Sequence, residues 1–178
     1  MTTRYVVLLR GINLGKARQV GMAELREALA ARDATGVRTH LRSGNVVLDS
    51  PLGEAELVAE VEAAVRERFG FDVPTVVRTG AQIADVVAAD PLRAVATDPA
   101  RYLVTFLPSP PAPERVAALP PADRGEFRVA GRELFLWAPD GVASTPLAAW
   151  NWDRLLGVPG TARNWNTVRK LAQLAGSL

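Results

Sequence analysis

Three short segments gather the residue types that hold anions. The first is Arg10–Gly11–Ile12–Asn13–Leu14–Gly15–Lys16, with Arg18 close behind it. The second is Arg42–Ser43–Gly44–Asn45. The third is Arg163–Asn164–Trp165–Asn166. Gly11 and Gly15 let backbone N–H groups converge, and Arg10, Lys16 and Arg18 add positive charge around them. Asn164 stands where a helix N-cap belongs, with Arg163 and Asn166 beside it, at the helix end that favours negative charge. Arg10, Gly11, Asn13, Lys16, Arg18, Arg42, Ser43, Asn45, Arg163, Asn164 and Asn166 therefore form the candidate anion-binding set.

More demanding chemistries fail on spacing. Gly11-x-x-x-Gly15-Lys16-Ala17 is one residue shorter than a P-loop, Ala17 replaces its magnesium-binding hydroxyl, and the next helix starts only at Met22. Ser43 has no evident base. His40 is the only imidazole, and it lies three residues upstream, so strand alternation puts the two side chains on opposite faces. The chain has no Cys, which excludes disulfides, thiolate nucleophiles and thiolate-bound metals. One His cannot build a His cluster; carboxylates could still hold magnesium or calcium, but neither an EF-hand pattern nor a tight acidic cluster occurs, so no metal and no cofactor is expected. Trp150 and Trp152 flank Asn151, which invites a reading as a stacking platform. Recognition of RNA on an open sheet needs aromatics at alternate strand positions, and none stand at residues 37–48. Arg38, His40 and Arg42 alternate there instead, as a basic stripe suited to a phosphate backbone.

The elements that must position these segments follow from periodicity. Residues 4–9 form an apolar strand, and residues 22–32 a helix with Met22, Leu25 and Leu29 on one face. Residues 37–41 and 46–49 pair as a hairpin around Gly44. Leu57, Val61, Val65 and Phe69 mark a helix over 54–69, and 73–79 is a strand followed by a short helix over 80–88. The order β-α-β-β-α-β is the ferredoxin-like split βαβ arrangement. Pro91 and Pro99 break the connector 91–100. Beyond it come a strand at 102–107, a short helix within 108–121, a hairpin of 126–130 and 133–137, and helices at 145–156 and 164–175. That is a partial copy of the first half, with an extra helix where the last strand would be. The expected fold is α+β: a ferredoxin-like subdomain over 1–90 and a smaller α+β subdomain over 101–178.

With 178 residues and 48% hydrophobic content, the chain can bury a core. No apolar run approaches the ~20 residues of a membrane helix, and no signal peptide is evident, so a cytoplasmic protein without membrane partners is expected. The net charge is only +2, yet residues 1–50 hold eight Lys/Arg against four Asp/Glu, whereas 51–100 hold four against nine. Residues 101–178 hold nine against six, so the two ends are basic and the middle acidic, although 19 of the 21 basic residues are Arg, a bias that composition alone can produce.

LRGINLGK at 9–16, RSGNVVLDS at 42–50 and ARNWNTVRKLAQLA at 162–175 together resemble the bacterial domain-of-unknown-function 1697 family. MAELREAL and GRELFLWAPDGVASTPL between them extend the likeness along the chain. The resemblance implies an α+β protein with a ferredoxin-like first half, and it carries over no reaction. Lys16, Gly21, His40 and Arg42 depart from the family pattern, so Lys16 and Arg42 would make this member's surface more basic.

The leading expectation is binding of an anionic ligand, either nucleic acid or a phosphorylated small molecule. Two alternatives stand beside it. One is an enzyme on a phosphorylated metabolite that uses neither metal nor thiol and acts by positioning and Arg electrostatics. The other is a protein-interaction module that recruits a strand at an exposed sheet edge.

Overall fold

The computed structural model describes residues 1–176. Two compact units divide the chain: Met1–Val86 with the segment from Leu171 onward, and Val87–Lys170.

The first unit is built from β1 (Thr3–Leu9), α1 (Met22–Ala30), β2 (Thr35–His40), β3 (Asn45–Ser50), α2 (Glu54–Phe69) and β4 (Thr75–Thr79), with α3 (Gly80–Ala89) after it. The strands form one antiparallel sheet in the order β2-β3-β1-β4, the split βαβ topology. Alternation along β1 sends Tyr5, Val7 and Leu9 to the face covered by Leu25 and Leu29 of α1 and Leu57, Val61 and Val65 of α2. Each such side chain fully removed from water contributes about 1.5–3 kcal/mol before entropy is counted. Gly53 N–H donates to the Glu56 carboxylate at 3.1 Å to open α2, and Gly70 at φ 83° closes it. Val6, Leu8, Val47 and Arg78, on the opposite face, are buried as well.

The second unit contains β5 (Tyr102–Phe106), α4 (Pro113–Ala117), β6 (Glu126–Ala130), β7 (Glu133–Trp137), a 3-10 turn (Pro146–Ala149), α5 (Trp152–Leu156), β8 (Thr161–Asn164) and the start of α6 (Trp165–Leu174), whose residues from Leu171 count with the first unit. Its sheet has the order β6-β7-β5-β8. The sequence suggests a helix running 145–156 and no final strand. Instead, Trp150 is extended at ψ 144°, which splits that helix in two, and β8 pairs with β5 through Val104–Arg163 and Thr105–Ala162. The second unit is thus a complete β-α-β-β-α-β unit rather than a truncated one.

The likeness reaches individual positions. Across the first sheet, Arg38, Val47, Val6 and Arg78 lie in one row. Across the second, Arg128, Phe135, Val104 and Arg163 occupy the corresponding row. Arg78 and Arg163 are both buried. Each donates from Nη1 to the carbonyl of the residue before it, at 2.9 Å to Val77 and 2.8 Å to Ala162.

Candidate functional site

The first two segments meet. The loop leaving β1 is anchored by Ile12 and Val20, both buried, while Leu14 and Lys16 stand in solvent. Asn13 sits at φ 56°, a left-handed conformation that asparagine tolerates better than most residues. Its Nδ2 donates to the carbonyls of Val20 at 3.0 Å and Arg42 at 2.6 Å, and its Oδ1 accepts the Val20 N–H at 2.9 Å. One amide therefore closes the loop on itself and ties it to the turn between β2 and β3.

Gln19, which the sequence does not single out, reinforces the tie. Its amide nitrogen donates to Gly15 O at 2.7 Å, and its Oε1 accepts from Arg42 Nη2 at 3.2 Å. Gly44, at φ 87°, lies so close to Leu9 that a Cβ would meet the Leu9 Cβ at 2.7 Å. Asn45 is fully buried, and its Nδ2 donates to His40 O at 2.8 Å and Ser43 Oγ at 3.0 Å. Asn13 thus frames the loop, and Asn45 the turn to which it is tied.

The cations divide into two kinds. Arg18 donates to Gly11 O at 3.1 Å and Asp72 O at 2.6 Å, and its guanidinium lies 5.1 Å from the Phe71 ring centroid. It is exposed but held. Lys16 and Arg42 are exposed, and among the described residues neither they nor Arg18 forms an ion pair. Arg10 is half-buried, with its N–H on Pro74 O at 3.0 Å. Arg42 lies in the turn, beyond the end of β2, so the basic stripe expected along that strand stops at His40, which is half-buried.

The third segment is placed differently. Arg163 belongs to β8, is buried, and donates to Thr161 Oγ1 at 2.6 Å. Burial pushes its guanidinium down to about 10, still cationic at neutral pH. Asn164 caps α6 by accepting the Thr167 N–H at 3.0 Å, as its position in the sequence suggests. Asn166 is exposed on the polar side of α6, and Trp165 is buried, stacked on Tyr102 with centroids 4.6 Å apart. Among the described residues no cluster of three metal-ligating side chains occurs, and no helix is long and apolar enough to cross a membrane.

Phe71 and Gln19 escape sequence reasoning because their partners are defined by tertiary contact alone. The only local hint is the proximity of Gln19 to a Gly-rich loop.

No curated protein matches the sequence. The fold is similar to that of the conserved bacterial protein SP0830 from Streptococcus pneumoniae, with a TM-score of 0.79 and 23% identity over 98% of this chain and 99% of that one. The model of the family described as "protein of unknown function (DUF1697)" matches residues 1–135, and the chain belongs to that family.

Proposed function

We propose that this protein binds a phosphate-bearing ligand on the surface shared by loop 10–20 and the turn 41–45. The observation that supports this reading is the Asn13 amide, which bridges Val20 and Arg42 and so makes the two segments one rigid platform. Lys16, Arg18 and Arg42 stand on that platform without carboxylate partners among the described residues, with Arg10 nearby in the chain. Cations preorganised by neutral hydrogen bonds and left unneutralised suit phosphate oxygens. Arg163 and Asn164, committed to β8 and to the α6 cap, fall outside the proposed site.

The test is direct. The double variant Lys16→Ala/Arg42→Ala removes two exposed charges and touches only the Gln19 contact. Its affinity for a short single-stranded oligonucleotide at low salt should fall at least about tenfold. Unchanged affinity for both the oligonucleotide and inorganic phosphate would refute the reading.

A further inference from the structure

The second unit carries a recess that none of the family motifs enters. Its volume is about 500 Å³, within the range of small-molecule sites, and Arg115, Pro120, Trp150, Asn151, Arg154 and Leu155 line it. Trp150 is half-buried there and braced from behind. Its ring lies 5.4 Å from Trp152 and 6.0 Å, edge-on, from Phe127, and Trp152 is fixed by its Nε1–H on Leu147 O at 3.1 Å. The indole is therefore a rigid plate with one side committed to the cluster.

Two guanidinium groups border that plate. Arg115 Nη1 donates to Arg154 O at 3.1 Å. Arg115 also lies across Gly157, where a Cβ would sit 2.7 Å from its Nε, so the glycine makes room for it. Arg154 projects from α5, and among the described residues neither arginine has a carboxylate partner. The adjacent Asp153 accepts the Gly160 N–H at 3.1 Å. In contrast, Arg4, Arg32, Arg66, Arg68, Arg101 and Arg124 are all ion-paired. Two unneutralised cations beside an aromatic plate and the apolar walls of Pro120 and Leu155 complement a flat ring that carries negative charge.

We propose that this recess binds a planar aromatic anion, with the ring against Trp150 and Leu155 and the anionic group between Arg115 and Arg154. None of the residues lining this recess belongs to the loop platform, and the two readings stand independently. Adenosine monophosphate is the probe, with adenosine lacking the anion and ribose 5-phosphate lacking the ring as controls. In NMR titrations of the isotope-labelled protein, the monophosphate should shift the Trp150 indole resonance and the Asn151 and Arg154 amides. Each control should bind at least about tenfold more weakly there, and Arg154→Ala and Arg115→Ala should each weaken the monophosphate by a similar factor. Both side chains are exposed, so the spectra of the variants report a preserved fold directly. Absent shifts at Trp150, equal response to ribose 5-phosphate, or affinity indifferent to both substitutions would overturn the proposal. Shifts confined to residues 10–20 and 41–45 would overturn it too, while leaving the loop reading intact.

Discussion

Asn13 is the residue on which the platform depends. Replacing it by Gly keeps the left-handed backbone accessible but removes three hydrogen bonds, two within the loop to Val20 and one to the Arg42 carbonyl in the distant turn. Loss of about 2–3 kcal/mol in urea unfolding is expected for Asn13→Gly, and about 1 kcal/mol more for Asn13→Ala, which adds the cost of a positive φ. Equal stability of the Ala variant and the native protein would contradict the framework role. Gly44→Ala tests the same junction from the turn side. Its Cβ meets Leu9 and Ile12 in a backbone conformation that already disfavours side chains, so at least about 2 kcal/mol should be lost. At this scale the sequence was legible only in part. The Gly–Asn–Arg composition of residues 10–18 and 42–45 marks a special place. That Asn13, Arg18 and Asn45 spend their donors on the fold depends on contacts with Arg42, Asp72 and His40, which no local pattern reveals.

Elements were legible where burial is periodic. Leu57, Val61 and Val65 recur every four residues, and α2 runs over the expected 54–69. Gly131 between two short apolar runs likewise marks the β6–β7 hairpin. β8 was hidden because it is four residues long and carries Arg163 inward, so its polar sequence resembles the approach to a helix cap. Gly160 shows how tightly that strand docks: an added Cβ would lie 2.5 Å from Thr105 Cγ2 and 3.1 Å from Phe106 O. Gly160→Ala should therefore lower stability by about 1–3 kcal/mol and speed amide exchange along 161–164, whereas Ala162→Val, at an exposed position of the same strand, should cost little. The turn that follows α1 is tied to α2 by Arg32, which bonds to Glu60 at 2.8 Å and to Glu67. The Arg32 hydrogen bond holds the Glu67 carboxyl below its usual range. Because the folded-state value is the lower one, the stabilisation is present above the unfolded carboxyl range and is lost as pH falls through the folded value. The stability difference between the native protein and Glu67→Gln should accordingly shrink from pH 7 toward pH 3, and a difference that grew on acidification would contradict this pairing.

At the level of the whole molecule, the chain contains two split βαβ units with the same strand order and a matching Arg–apolar–Val–Arg row. A sheet position demands a size and a polarity rather than an identity, so the two units can share this row without repeating one another's sequence. Both ends of the sequence carry excess positive charge around an acidic middle, and the first 50 residues contain the proposed platform. If Lys16, Arg18 and Arg42 each meet one phosphate of a single strand, log K should fall with log salt at a slope of about −2, reduced by about 0.7 in Lys16→Ala. A salt-independent affinity would exclude phosphate contacts as its source. The most direct test of the central reading is an amide NMR titration of the labelled protein at low salt with a short single-stranded oligonucleotide and, separately, inorganic phosphate. Saturable, salt-sensitive shifts should concentrate at residues 10–20 and 41–45 and be greatly weakened in Lys16→Ala/Arg42→Ala. Shifts that are absent there, or that persist unchanged in the double variant, would contradict it.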